Sequence, residues 1–96
     1  MNERWLLSLK SKKYILYLLK LSDDSYYTGI TVDLEKRVEK HKQGKGSKYV
    51  CSRLPIKEVY RIDEYSTRSE ASKREAQIKR YSHRDKELLT WQISYE

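Results

Sequence analysis

The chain has one cysteine, one proline and no long apolar run. A single thiol, Cys51, cannot close an internal disulfide, so no disulfide framework supports the fold. No base lies beside it in the sequence, and it reads as an incidental thiol of a reducing compartment. No stretch approaches the roughly 20 apolar residues of a membrane-spanning helix. Trp5, Leu6 and Leu7, with Glu3 ahead of them, form too short and too acidic a cluster for a signal peptide. The expectation is a cytoplasmic protein with no membrane partner. Apolar residues are scarce as well, at 38% against 36% charged. Typical domains carry about 45–50% and about 25%. A small core and a strongly solvated surface follow. The 96 residues contain no internal repeat, low-complexity run or linker. That length is one domain, since domains cluster near roughly 100–150 residues. Residues 13–92 are assigned to it. Residues 1–12 form an N-terminal segment whose Trp5, Leu6, Leu7 and Leu9 either dock on the domain or contact a partner.

What is abundant is positive charge, and it is unevenly placed. The net charge is +7. Between Lys36 and Arg53 seven basic residues (Lys36, Arg37, Lys40, Lys42, Lys45, Lys48, Arg53) accompany one acid, Glu39. Between Lys73 and Lys86 six (Lys73, Arg74, Lys79, Arg80, Arg84, Lys86) accompany Glu75 and Asp85. Such a footprint suits a polyanion partner, and the alternative is a lysine-rich surface that keeps the chain soluble. On the first reading, Lys36, Lys40, Lys45, Lys48, Arg53, Arg74 and Lys79 are the candidate nucleic-acid contacts.

The segment Tyr14-Ile15-Leu16-Tyr17-Leu18-Leu19-Lys20-Leu21 is apolar on both alternations, as in a strand covered on both faces. Ser22-Asp23-Asp24-Ser25 is a reversal cluster, and Tyr26-Tyr27-Thr28-Gly29-Ile30-Thr31 is aromatic and β-branched, completing a hairpin. Side chains alternate along strands. A loop of two residues puts Tyr17 and Tyr27 on opposite faces; a loop of three pairs Leu19 with Tyr27 and Tyr17 with Gly29, on one face. If the tyrosines share a site, the loop is odd in length or bulged. Gly29 marks a place where a helix or ligand approaches the backbone. Thr31 or Asp33 caps a helix that runs from about Asp33 to Gln43 and stops at Gly44. Leu34, Arg37, Val38 and His41 share one side of it. Gly44 to Tyr49 reads as a basic loop without Walker A spacing. Pro55 opens a charged edge strand near Lys57–Glu64. Thr67 and Glu70 form a capping box for a helix from about Arg68 to Arg80, with Ala71 and Ile78 inward. Ser82 caps a last helix to about Gln92, with Leu88, Leu89 and Trp91 packing back and His83 on the surface.

Five polar residues fall where core residues belong: Tyr17, Tyr27, Arg37, His41 and Glu75. Glu75, on a buried helix face, needs a partner, and a structural ion pair would suffice. A lone carboxylate, a guanidinium and three proton-transfer groups are also what phosphodiester hydrolysis uses. Here the sequence resembles the GIY-YIG nuclease superfamily. Ile15-Leu16-Tyr17 matches the first half-motif and Tyr27-Thr28-Gly29 the second. Arg37, His41 one turn later, and Glu75 in R-E-A-Q-I-K match in order. The likeness covers about Lys13 to Arg80 and is nearest to the small single-domain bacterial members.

The resemblance implies an α+β fold: a three-stranded antiparallel sheet flanked by helices, in the order β-β-α-β-α-α. It implies a DNA endonuclease with one Mg²⁺ or Mn²⁺ on Glu75. Tyr27 or His41 would be the general base, and Tyr17 would hold the nucleophile or a phosphate oxygen. A free tyrosine titrates near ~10, so Tyr27 would need a cation beside it, Arg37 or Lys20. The chain departs from the family pattern at Ile15, at Ile30 after the glycine, and in having no asparagine after Glu75. With no separate DNA-reading domain, selection of single-stranded or branched DNA is expected rather than sequence specificity. The alternative is a weakly active or inactive nucleic-acid-binding module on the same fold. Nothing in the sequence names a protein partner.

Overall fold

The first strand, β1 (Tyr14–Leu21), occupies the middle of the sheet because its apolar residues alternate to both faces. A computed structural model describes residues 13–94; the expectations for Trp5, Leu6, Leu7 and Leu9 fall outside them. β2 (Tyr26–Thr31) and β3 (Ile56–Tyr65) pair with β1 on either side, both antiparallel, in the order β2-β1-β3. Four helices complete the fold: α1 (Leu34–Lys42), α2 (Lys48–Cys51), α3 (Arg68–Lys79) and α4 (His83–Ser94). The expected α+β order is met, with the one-turn helix α2 added. α2 corrects the reading of Gly44 to Tyr49 as a continuous loop. The Ser47 hydroxyl accepts from the Val50 N–H at 3.4 Å, and Val50 is fully buried, which turns the chain into a helix from Lys48.

Two apolar clusters clamp β1. Leu16 and Leu18 meet Tyr26 and Ile78, with Ile30, Ile62 and Leu89 around them. Tyr17, Leu19 and Leu21 meet Val50 on the other face, with Tyr27, Leu34 and Val38 around them. Leu16, Leu18, Leu19 and Leu21 are all fully buried, and each such leucine contributes about 1.5–3 kcal/mol as an upper estimate. A core this small works because a single strand serves both layers.

The hairpin settles the parity question. Leu19 pairs with Tyr27 and Tyr17 with Gly29, the register of a three-residue loop at Ser22 to Asp24. The Leu21 N–H donates to the Ser25 carbonyl and the Asp24 N–H to the Leu21 carbonyl, each at 2.9 Å. Asp24 takes φ 66°, a left-handed conformation that a short polar side chain tolerates. Lys57 holds its carboxylate at 2.7 Å. His83, exposed as expected, places Nε2 2.8 Å from the Asp24 carbonyl. β3 is a solvated edge, as read, and its register against β1 shifts at Leu16/Tyr17.

The Thr67 capping box is present: its hydroxyl accepts from the Glu70 N–H at 3.2 Å. In α4 the inward stripe differs from the expectation. Leu89 packs on the core, but Leu88 and Trp91 are 44% and 57% exposed. The inward positions are Lys86, Leu89, Thr90 and Ile93, an i, i+3, i+4, i+7 set that two polar residues hide from a hydropathy reading.

Candidate functional site

Gly29 faces Tyr17 across the hairpin. A Cβ there would stand 2.5 Å from both Cζ and Oη of Tyr17. The close approach expected from a helix or a ligand is therefore made by the Tyr17 ring, which lies in the space the glycine leaves. The ring is fully buried, and its Oη is 2.9 Å from Nε2 of His41, also fully buried on α1. The Gly46 backbone closes the far side of the imidazole, where a Cβ would collide with Nδ1, Cε1 and Cγ. His41 Nδ1 has no hydrogen-bond partner among the described residues.

These surroundings set both protonation states. Burial, then the Arg37 and Lys40 charges, hold His41 below its usual range, so it is neutral at neutral pH. The Tyr17 hydroxyl is pushed up to about 12 by burial first, then by Tyr27; the Arg37 charge and side-chain hydrogen bond oppose this, and Glu75 adds a smaller rise. A buried N–H without an acceptor is costlier and rarer than an unpaired acceptor. Whichever group donates along the Tyr17 Oη–His41 Nε2 contact, one buried donor is left over, the hydroxyl or Nδ1–H, so this cost is the same for both tautomers.

A pH dependence follows. Because His41 binds its proton less readily folded than unfolded, the unfolded chain gains protons first as pH falls below about 6.5. Stability should therefore decline from there downward through the depressed folded pKa, before the carboxylates of Asp23 and Asp24 titrate. Both of those are held below their ordinary range, Asp23 mainly by Ser25 and Asp24 mainly by Lys57. Urea unfolding at pH 7, 6 and 5 should show the first decline in wild type and not in His41→Gln. Identical profiles would contradict this assignment.

Tyr27 is half-buried on the same face. Its ring meets His41 edge-on at 5.3 Å and lies 6.4 Å from Tyr17. Lys20, one of the two cations considered for it, is corrected by the register: Lys20 pairs with Tyr26, on the opposite face, and its ammonium is 4.0 Å from Asp24. Arg37 is half-buried and lines a shallow cleft with Thr31, Val32, Asp33, Lys36 and Lys40. A neighbouring cleft joins it to Tyr14, Ile30 and Arg68. Glu75 is on α3, its side chain 22% exposed, with Lys79 Nζ at 3.6 Å. No group of three or more His, Cys, Asp or Glu that could hold a metal occurs among the described residues.

The basic candidates divide. Lys36 and Lys40 border the Arg37 cleft, and Lys45 and Lys48 are exposed. Arg53 is engaged: Nε donates to Asp23 at 3.1 Å, and the guanidinium lies 3.7 Å from the centroid of the Tyr49 ring. Arg74 donates to Gln77 at 3.0 Å and to the Tyr81 hydroxyl at 3.2 Å. Lys79 pairs with Glu75.

Sequence reasoning missed three residues here. Arg68 reads as the first residue of a helix, and the cleft it shares with Arg37 joins distant segments. Gly46 reads as part of a loop, although two glycines three and five residues beyond His41 were a signal of close packing. Tyr49, whose ring lies 6.4 Å from Tyr27 at an interplanar angle of 28°, is placed by the unforeseen α2.

The family model described as the GIY-YIG catalytic domain matches residues 13–87. A UPF0213 protein of Staphylococcus epidermidis is 46% identical over 74 residues, spanning 77% of this chain and 89% of that protein. One of Staphylococcus aureus is 47% identical over 73 residues, spanning 76% and 88%. The solution NMR structure of a UPF0213 protein from Bacillus halodurans is 35% identical, covers 80% of this chain and 81% of that one, and superposes with a TM-score of 0.47. No helix among the described residues is long and apolar enough to cross a membrane.

Proposed function

This chain belongs to the GIY-YIG family, which implies a nucleic-acid substrate, and from that membership we propose that it is a divalent-metal-dependent DNA endonuclease. It hydrolyses phosphodiester bonds and selects DNA by structure or single-strandedness rather than by sequence. The observation that carries this reading is the buried Tyr17–His41 hydrogen bond of 2.9 Å beneath the more open Tyr27. A pair of this kind holds the Tyr17 ring in place beneath Tyr27.

Each residue then has a role. Tyr27, the accessible one of the three proton-transfer groups, would take the proton from the attacking water as its phenolate, with Arg37 the remaining candidate cation for that form. His41 is sealed between Tyr17 and Gly46, so it acts as a positioning residue that orients Tyr17. Tyr17, fully buried against His41, packs beneath Tyr27 and supports it from below. Arg37, a fixed fork of donors, stabilises the charge that develops on the phosphate.

The residues present also fit a metal of one kind. Glu75 is a single, partly open carboxylate whose protein partner, Lys79, stands at 3.6 Å. Mg²⁺ is commonly held by one or two carboxylates with water and phosphate oxygens completing its shell. Glu75 would hold one Mg²⁺ or Mn²⁺, which when bound offsets charge on the phosphate and the leaving oxygen. Lys36, Lys40, Lys45 and Lys48 would follow the strand backbone.

The test is a cleavage panel of labelled single-stranded, duplex, flapped and branched DNA in Mg²⁺, Mn²⁺ or EDTA. Metal-dependent cuts concentrated on the single-stranded and branched members are expected. Equal cutting of every member would remove the structural selectivity. A folded protein that binds these DNAs yet cuts none would replace the nuclease by a binding module.

A further inference from the structure

Tyr49 is a large aromatic residue left 39% exposed. The Arg53 guanidinium lies over its ring at 3.7 Å. Arg53 is fixed there by hydrogen bonds to the Asp23 carboxylate (3.1 Å), the Tyr49 carbonyl (3.1 Å) and the Ser52 hydroxyl (3.0 Å). The Tyr49 ring is in turn close to parallel with that of Tyr27, at 6.4 Å and 28°. Three planar groups therefore run in series from the surface to Tyr27. A cation over an exposed ring contributes only about 0.5–1 kcal/mol to a fold, which is a weak reason to keep a tyrosine half open to water. Lys45 and Lys48, both exposed, flank the same turn.

We propose that the Arg53 guanidinium, seated on the Tyr49 ring and itself 34% exposed, is a stacking ledge for an unpaired DNA base, next to the phosphate handled at Tyr27. Aromatic rings and guanidinium planes are the two protein surfaces on which splayed bases stack. Here both are already oriented, so little side-chain freedom is lost on binding. A base within a continuous duplex is stacked on its neighbours and is not free to reach the ledge. The ledge accordingly selects single strands, flaps and junctions with an unpaired nucleotide. It rests on the proposed nuclease reading only for the position of the reacting phosphate.

The test is fluorescence anisotropy in EDTA, with oligothymidylate compared with an abasic strand of equal length. Wild type should bind the base-bearing strand about tenfold more tightly, the order of one stacked base. Tyr49→Leu should lose that preference and retain salt-dependent binding to both strands, whereas Tyr49→Phe should keep it. Equal binding of the two strands by wild type overturns the ledge without recourse to a variant. So does a Tyr49→Leu protein with an undiminished preference. Cleavage in Mg²⁺ is scored separately. A protein that cuts DNA but binds both strands alike loses the ledge and keeps the nuclease; one that prefers bases through Tyr49 but never cuts does the reverse.

Discussion

Glu75→Ala should reduce metal-dependent cleavage about a thousandfold or more while leaving the fold in place. A bound divalent ion supplies several kcal/mol of charge stabilisation in reactions of this kind, and about 1.4 kcal/mol corresponds to a tenfold change in rate. Glu75 is a lone carboxylate, with Lys79 as its ion-pair partner, so its removal takes away the proposed protein ligand outright. The structural cost is small by comparison. The carboxylate pairs at 3.6 Å with a lysine whose side chain is 56% exposed, and such pairs contribute about 0.2–1 kcal/mol. Alanine is the better helix former and recovers part of this. The melting temperature should therefore move by no more than about 4–8 °C. Cleavage rates and thermal unfolding of the same preparation separate the two effects. An active Glu75→Ala protein would show that Glu75 is only the partner of Lys79.

Gly29→Ala is expected to be strongly damaging for a change of a single methyl. Its Cβ would meet Tyr17 Cζ and Oη at 2.5 Å and Cε1 at 2.9 Å. The ring has no retreat, because it is fully buried and its hydroxyl is tied to His41, which is itself backed by Gly46. Overpacking of this sort costs about 1–3 kcal/mol, and displacing Tyr17 should lower cleavage as well. The cause is the ring rather than the backbone, so Tyr17→Leu in the same chain should remove most of the penalty. Urea unfolding of the two single variants and the double variant forms a cycle that reads this coupling directly. Additive effects would mean that Gly29 serves some other purpose.

How far the sequence discloses this arrangement depends on the range of each interaction. The hairpin register was legible because parity is local: if Tyr17 and Tyr27 share a face, the loop is odd in length or bulged, and Ser22 to Asp24 is odd. The α1 caps and the Arg37–His41 spacing were legible for the same reason, since both are set within a few residues. Lys20 was assigned to the wrong neighbour because its nearness in sequence to Tyr17 concealed the opposite face it occupies. Gly46 was missed because its role lies in the path of a loop that folds back over His41, which no periodicity encodes. Tyr49 depended on α2, a single turn started by Ser47 and anchored by Val50, too short to leave a pattern. In α4, Thr90 and Lys86 occupy inward positions, so hydropathy pointed to Leu88 and Trp91 instead. The residues of the candidate site were named from motif spacing; the Tyr17–His41 contact, the burial of Tyr17 and the openness of Tyr27 came only with the packing.

The most direct test of the central claim is one time course: wild type and Glu75→Ala, at equal concentration, on a labelled branched DNA, with Mg²⁺ and with EDTA. The account predicts cuts by wild type in Mg²⁺ alone, and none above background in the other three reactions. Cleavage that persists in EDTA, or in Glu75→Ala with Mg²⁺, would contradict it.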